Sequence, residues 1–121
     1  MLLVDDEPDI RRIAEVSLSM IGGWSVLCAC SGEEAIAAAK AAPPDAILLD
    51  VMMPGLDGLE TFSRLLADPV TARIPVIFMT AKAQSNEVGR YLALGARGVI
   101  RKPFDPMTLP RELSQILGVS R

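Results

Sequence analysis

Four short apolar runs in the sequence each end on a residue that could take part in phosphoryl or metal chemistry. The residues at these ends are Asp5-Asp6, Asp50, Thr80 and Arg101-Lys102. In a parallel sheet the carboxyl ends of the strands share one edge, so side chains that are distant in sequence would meet around one crevice. The pattern therefore predicts a single site that combines three acids, a hydroxyl and an amine.

The three acids have the chemistry of a divalent-metal site. Mg²⁺ prefers oxygen ligands, takes one or two protein carboxylates and keeps water or phosphate oxygens in its other positions. Asp50 could also attack phosphorus and form an acyl phosphate, and a cation would then relieve the repulsion among the acids. The ordinary alternatives are a solvated loop or an acidic helix start for Asp5 and Asp6, and a turn-capping acid for Asp50.

Thr80 and Lys102 have two interpretations each. Thr80 is either a β-branched strand residue or a hydroxyl donor to a phosphoryl oxygen. Lys102 is either a surface lysine or an ammonium group that points into the crevice and pairs with a carboxylate. The Lys102-Pro103 bond is also a candidate cis peptide.

Strand-like and helix-like patterns alternate along the chain, which is typical of an α/β fold with a parallel sheet. We expect one domain over residues 1–121, without an output domain in this chain. After the first run, strands are predicted at 24–30, 46–49, 75–79 and 98–100. Helices are predicted at 10–21, from 32 to Pro43, after the turn-rich loop 54–58 and through Phe62, Leu65 and Leu66 to Pro69, at 85–94 and from about 108 to 117.

Several helix details follow from local sequence. Ser31 is a plausible N-cap with Glu34 three residues on, and Pro110 is tolerated only in a first turn, which starts the last helix near Thr108. In the fourth helix one face is predicted to carry Val88, Tyr91, Leu92 and Gly95. Gly89 in its interior costs about 0.5–1 kcal/mol relative to alanine, so we expect this helix to be the least stable.

Composition excludes several classes of function. Half of the residues are hydrophobic, yet no apolar stretch approaches the roughly 20 residues that span a bilayer. No leader sequence precedes the first run, so we expect a cytoplasmic protein. The net charge is −3 with no basic run, which argues against nucleic-acid binding by this chain.

The two cysteines are expected to have no chemical role. Cys28 and Cys30 would lie about 7 Å apart on one face of a strand, which is poor disulfide geometry. With no histidine in the chain, a metal or redox site is disfavoured, and small buried hydrophobes are the preferred interpretation. The absence of histidine also means that the chain cannot be its own phosphohistidine donor.

Together the motifs strongly resemble the receiver domain of two-component response regulators, over essentially the whole chain. The segments that carry the resemblance are 2–8 (LLVDDEP), 48–58 (LLDVMMPGLDG), 75–81, Gly95-Ala96 and Lys102-Pro103-Phe104. The resemblance implies a flavodoxin-like, doubly wound sheet of five parallel strands in the order 2-1-3-4-5, with helices on both faces.

The resemblance also implies roles for the acids. Asp50 would be the phosphoacceptor. Asp6, Asp50 and the backbone carbonyl of Met52 would ligate Mg²⁺ or Mn²⁺ directly, and Asp5 would act mainly through a metal-bound water.

By the same resemblance, Thr80 would be the switch hydroxyl, the Ala81 N–H a further phosphoryl contact, and Lys102 the counter-ion. Receivers take the phosphoryl group from a phosphohistidine on a sensor kinase or a histidine phosphotransfer protein, and they catalyse this transfer and their own dephosphorylation. The expected output is a surface change on the fourth helix, fifth strand and fifth helix that controls a downstream target or an output domain, with a phosphorylation-dependent homodimer as an option.

The sequence departs from the family pattern at three positions. Val99 stands where the family usually has an aromatic residue that moves with the threonine, so we expect the fourth helix to carry more of the switching. Met52 and Lys82 offer no carboxylate or amide to orient an attacking water, which predicts slow self-dephosphorylation.

Three other functions compete with this interpretation. A phosphatase with an aspartate nucleophile needs a second acid two residues on, where Met52 stands. A nucleotide-binding module needs a glycine-rich loop after the first strand, where acids stand instead. The serious alternative is a pseudo-receiver, an interaction module that has the fold but is not phosphorylated, and Val99 keeps it open.

Overall fold

Five strands form one sheet in the computed structural model, which describes residues 1–119. They are β1 (Leu2–Val4), β2 (Leu27–Ala29), β3 (Ile47–Asp50), β4 (Val76–Thr80) and β5 (Gly98–Arg101). All pairings are parallel, and the strand order is β2-β1-β3-β4-β5. The predicted strand order is therefore confirmed.

Helices cover both faces of this sheet. They are α1 (Pro8–Val16), α2 (Gly32–Ala41), α3 (Gly58–Ala67), α4 (Ser85–Leu94) and α5 (Leu109–Leu117), and a π-helical segment, Ser17–Ile21, continues α1. The core layer on one face includes residues of α1 and α5, and the layer on the other face includes residues of α2, α3 and α4. The doubly wound α/β fold is confirmed. In the described part of the chain, no helix combines the length and apolar character that crossing a membrane requires.

The central strands supply side chains to both core layers because successive side chains of a strand point to opposite faces. In β3, Leu48 packs in the α1/α5 layer, whereas Ile47 and Leu49 pack in the other. All three are buried, as expected of a parallel strand that is covered on both faces. The sheet is thus anchored at its centre, and the carboxyl ends of its strands are held in a fixed relation to one another.

The second strand is shorter than predicted. Residues 24–26 lie outside β2, because β1 begins at Leu2 and pairing with β2 accordingly starts at Leu27. The interpretation of both cysteines as buried is wrong for Cys30, which lies beyond the strand and is exposed, with its thiol 3.2 Å from Oε2 of Glu34. Cys28 is half-buried, and both thiols are free.

The first helix ends differently from a regular α-helix. The Gly22 N–H donates to the carbonyl of Ser17, five residues back, and the Ser19 hydroxyl donates to the carbonyl of Glu15. A serine hydroxyl that bonds back to a preceding carbonyl tends to bend a helix. The Ser17 side chain is buried and donates to the carbonyl of Pro106, which ties this segment to the loop before α5.

The prediction for the inner face of α4 is partly wrong. In α4 Tyr91 is buried and makes an edge-on contact with Phe78, with ring centroids 5.3 Å apart, but Leu92 is 45% exposed. Leu92 lies about 100° around the helix from Tyr91, which places it at the margin of the inner face.

Other local predictions are confirmed. The Ser31 hydroxyl accepts from the Glu34 N–H at 3.1 Å, α5 begins at Leu109 with Thr108 as its N-cap, and the Lys102-Pro103 peptide is cis.

Candidate functional site

The carboxyl edge of the sheet brings the predicted site residues together. Asp5 follows β1 directly, Asp50 and Thr80 are the last residues of β3 and β4, and Lys102 follows β5. The Lys102 N–H donates to the carbonyl of Thr80 at 2.9 Å, which continues the β4–β5 ladder into the site. The strand ends therefore present these side chains around one crevice, as the sequence predicts.

Four acids converge in this crevice. Asp5, Asp6, Glu7 and Asp50 each offer one carboxylate oxygen, and these four oxygens all lie within 4.8 Å of one another. Asp5 and Asp50 are 0% and 1% exposed, Asp6 is half-buried and Glu7 is exposed. Sequence reasoning did not assign Glu7 to the site, although its position directly after the acid pair was the available signal.

The Lys102 ammonium is the counter-ion within the cluster. Its Nζ lies 2.9 Å from Oδ2 of Asp5, 3.2 Å from Oδ2 of Asp50 and 3.6 Å from Oε1 of Glu7. The Lys102 side chain is only 14% exposed, so its contacts with the buried Asp5 and Asp50 are little screened by solvent. The surface-lysine interpretation of this residue is therefore wrong.

Backbone hydrogen bonds orient the two buried aspartates. Oδ1 of Asp5 accepts from the Glu7 N–H at 2.9 Å, and Oδ1 of Asp50 accepts from the Met52 N–H at 3.2 Å. Both are Asx-type turns, in which a short carboxylate bonds the chain two residues on. Each aspartate thus uses one oxygen to fix its own loop and directs the other toward Lys102.

Burial and neighbouring charges shift the pKa values of Asp50 and Lys102. Burial, followed by the neighbouring charge of Asp5, raises the pKa of Asp50 to about 6, although Lys102 and the Met52 N–H favour its ionised form. Burial alone would lower the pKa of Lys102, but the hydrogen bonds and charges of Asp5 and Asp50 outweigh it and raise that pKa above its ordinary value. The site thus concentrates negative charge that one ammonium compensates only in part.

The donor set fits a hard divalent cation. Oδ1 of Asp6 is buried and, among the residues that the structure describes, has no hydrogen-bond partner. An orphaned buried carboxylate oxygen is costly unless it binds a cation or ordered water. Carboxylate oxygens are the ligands that Mg²⁺ prefers, and one or two of these acids with water would satisfy it.

Thr80, Ala81 and Met52 lie around the same crevice. Thr80 is buried, and its hydroxyl oxygen accepts from the Lys82 N–H at 3.0 Å. Ala81 is exposed and lines a groove together with Lys102. The Met52 side chain is 62% exposed. The predicted roles of the Met52 carbonyl and the Ala81 N–H stay predictions.

The N-terminus of α3 packs directly against the backbone of Asp50. At Gly58 a Cβ atom would overlap the carbonyl oxygen of Asp50, so this contact requires glycine. Asp57 caps the helix, with its carboxylate accepting from the Glu60 N–H at 2.8 Å. The start of α3 is thereby packed against the end of β3, next to Asp50.

The departures noted in the sequence are visible in the structure. Val99 is half-buried against the core layer on the α2–α4 face, and Lys82 is exposed beside Thr80.

Comparisons with known proteins agree with this geometry. The family model described as "Response regulator receiver domain" matches residues 1–114. The phosphate regulon transcriptional regulatory protein PhoB of Pseudomonas aeruginosa is 40% identical over 117 residues, which are 97% of this chain and 51% of that protein. This chain spans about half the length of the curated relatives that it matches.

Solved structures show the same fold. The chemotaxis response regulator CheY4 of Vibrio cholerae has a TM-score of 0.87 at 32% identity, with 95% of each chain covered. The receiver domain of NtrX from Brucella abortus has a TM-score of 0.85 at 28% identity, with 98% of each chain covered.

Proposed function

Because this chain belongs to the response regulator receiver domain family, we propose that it is a phosphorylation-dependent signalling switch with Asp50 as its phosphoacceptor. The donor would be a phosphohistidine on a sensor kinase or a histidine phosphotransfer protein. The observation that carries the proposal is the buried Asp50 carboxylate, 3.2 Å from the Lys102 ammonium within a cluster of acids that can hold a metal ion.

In the proposed reaction an Asp50 carboxylate oxygen attacks phosphorus, an O–P bond forms, and the N–P bond of the phosphohistidine breaks with the imidazole as leaving group. The Asx-turn bond from the Met52 N–H holds Oδ1 of Asp50, which leaves Oδ2 on the Lys102 side. Lys102 then neutralises charge on the phosphoryl oxygens without moving far. Such positioning and charge stabilisation account for most of the catalysis in phosphoryl transfer.

Asp6 and Asp50 would hold Mg²⁺ or Mn²⁺ together with the Met52 carbonyl, and Asp5 would contribute through water. When bound, the cation supplies positive charge to the phosphoryl oxygens and relieves repulsion among the acids. Thr80 would donate its hydroxyl hydrogen to a phosphoryl oxygen, and in the structure its oxygen accepts from the Lys82 N–H. The Ala81 N–H would make a further phosphoryl contact.

The test is incubation with a small-molecule phosphodonor, such as acetyl phosphate, and Mg²⁺, followed by intact mass spectrometry. We expect the mass of one phosphoryl group to be added to the wild type and not to Asp50→Asn, whose fold should be intact by circular dichroism. Phosphate retained in Asp50→Asn would refute the assignment of the acceptor.

The signalling partners follow from the same proposal. The matched relatives are named as transcriptional regulators, and we propose that this domain likewise controls an output domain or a separate target. The controlling surface would be formed by α4, β5 and α5, with phosphorylation-dependent dimerisation as one form of output. We further propose cytoplasmic localisation and no direct contact of this domain with nucleic acid.

A pseudo-receiver is the second candidate function, and Val99 is the observation that favours it. A valine lacks the phenol and the reach that couple the usual aromatic residue to the threonine. If the wild type gains no phosphoryl mass under the conditions above, the interaction-module function replaces the proposed switch.

A further inference from the structure

The side chain of Arg11, in α1, contacts the acidic loop, which is formed by Asp5, Asp6 and Glu7 after β1. Its Nη1 donates to the backbone carbonyl of Asp5 at 2.8 Å, and the residue is half-buried. The neighbouring Arg12 points away instead, is 75% exposed and pairs with Glu15 at 3.3 Å. Of these two adjacent arginines, Arg11 contacts the loop that carries the acids, whereas Arg12 is exposed and pairs within its own helix.

The carbonyl that Arg11 binds belongs to the peptide joining Asp5 to Asp6. On its strand side Asp5 is fixed by its N–H, which donates to the carbonyl of Ala29 at 3.2 Å. On the loop side its carboxylate accepts from the Glu7 N–H. Arg11 supplies the contact to the backbone carbonyl of Asp5, just beyond the end of β1.

The peptide unit is planar, so its carbonyl oxygen, the next N–H and the next Cα move as one rigid body. Holding the carbonyl of Asp5 therefore fixes the Cα of Asp6. The Asp6 side chain carries the buried Oδ1 that has no hydrogen-bond partner among the described residues. A guanidinium is suited to this role because its planar fork is always charged and loses little freedom on binding.

We propose that Arg11 is a positioning residue for the metal site: it fixes the Asp5–Asp6 peptide and so aims the Asp6 carboxylate. The inference rests on the proposed function, since it assigns Arg11 a part in preparing the same site. Arg11 would act through the backbone, so its loss would lower the affinity for the cation and the order of residues 5–7.

The test compares Arg11→Gln with Arg12→Gln, which remove the same charge from adjacent positions. Mg²⁺ alone is titrated into each protein and into the wild type, and binding is followed through the amide resonances of Glu7 and Met52. Outer-shell contacts of this kind typically change metal affinity by 10-fold or more when removed. We expect about a 10-fold weaker Mg²⁺ affinity in Arg11→Gln and a change of less than about twofold in Arg12→Gln.

Two further measurements separate positioning from general stability. Amide exchange at residues 5–7 should accelerate in Arg11→Gln and not in Arg12→Gln. Arg11→Lys, which keeps the charge and a donor, should recover part of the affinity and keeps the test valid if Arg11→Gln does not fold. Equal Mg²⁺ affinities in Arg11→Gln and Arg12→Gln would overturn the proposal.

Failure of this inference can be told apart from failure of the proposed function. A wild type that binds Mg²⁺ but gains no phosphoryl mass refutes the switch, and the role of Arg11 is still decided by the titration. A wild type that is phosphorylated, with an Arg11→Gln variant of unchanged Mg²⁺ affinity, refutes only the role of Arg11.

Discussion

Nζ of Lys102 lies 3.2 Å from Oδ2 of Asp50, and the same ammonium lies 2.9 Å from Oδ2 of Asp5. One cation therefore serves two buried carboxylates that come from different strands. Removing one partner of a buried charge cluster leaves the others uncompensated, which is commonly more costly than the net worth of the pair. This arrangement makes Lys102 important for the stability of the metal-free protein.

We predict that Lys102→Met lowers the free energy of unfolding of the metal-free protein at pH 7 by about 2–4 kcal/mol. Phosphoryl uptake should slow by about 10-fold or more, because a charge-stabilising donor is lost. Urea unfolding with chelator and intact mass after timed exposure to phosphodonor are the measurements. Lys82→Met is the matched control, since it removes an exposed lysine beside the same site. Equal stability losses in the two variants would contradict the prediction.

Asp50 should make the stability of the metal-free protein depend on pH. Its pKa is raised from 3.8 to about 6 by burial, and by Asp5. Between these values the folded state binds more protons than the unfolded state, so stability falls as pH rises from about 4 to 6. Below pH 4 the carboxyl is protonated in both states and this penalty disappears.

Asp50→Asn should therefore stabilise the metal-free protein at pH 7, by up to about 3 kcal/mol, and the gain should vanish near pH 4. Urea unfolding of both proteins at several pH values measures it. Asp45→Asn, which removes an exposed acid, is the control for net charge. A gain that grows as pH falls would have the wrong sign for this explanation.

Mg²⁺ should stabilise the folded protein, and Asp6 should carry much of the effect. A ligand that binds only the folded state adds about 2.7 kcal/mol at 100 times its Kd. We expect Asp6→Asn to lose most of the Mg²⁺-dependent rise in thermal midpoint, because its buried Oδ1 has no other partner in the described part of the chain. Asp9→Asn, an exposed acid of the first turn of α1, should keep the full rise. A full rise in Asp6→Asn would exclude it as a ligand.

Sequence reasoning found the strand ends because each buried strand reads as an unbroken apolar run, and topology then determines which ends meet. It missed Glu7 and Arg11 because their contacts depend on the path of one loop and on rotamers, which no periodicity encodes. It placed Cys30 in a strand because the apolar run continues past Ala29, whereas pairing stops where β1 stops. Leu92 was misplaced because helical periodicity does not define the edge of a buried face.

If the protein is phosphorylated as proposed, Lys82, next to Thr80 and Ala81, should limit how fast the phosphorylated state decays. Lys82 is exposed, its backbone N–H donates to the Thr80 hydroxyl, and its side chain offers no carboxylate or amide that could orient an attacking water. Lys82→Glu adds a carboxylate at this position, so we predict faster decay of the acyl phosphate than in the wild type.

Decay is followed by intact mass after removal of the phosphodonor. Lys82→Met separates the carboxylate from the mere loss of positive charge and should decay like the wild type. An equal or slower rate in Lys82→Glu would count against water orientation as the limiting step.

The fourth helix should respond to phosphorylation more than its neighbours because its anchoring is sparse. Its one fully buried side chain is Tyr91, Gly89 stands in its interior, and Val99 supplies no aromatic partner for Thr80. We predict that a phosphate mimic, beryllofluoride with Mg²⁺, changes amide exchange across Ser85–Leu94. The amides of Gly32–Ala41 in α2 provide the internal reference. Unchanged exchange in α4 would rule out this switching route.

Gly89→Ala tests the same switching route by making α4 more stable. A Cβ at Gly89 meets no atom within 4 Å, so alanine should fit and stabilise α4 by about 0.5–1 kcal/mol. Exchange in α4 of the unphosphorylated protein should then slow by about two- to fivefold, since each 1.4 kcal/mol corresponds to a factor of ten. If local opening of α4 is part of switching, the mimic should produce a smaller exchange change in this variant than in the wild type. An equal response in both proteins would show that switching does not depend on the stability of α4.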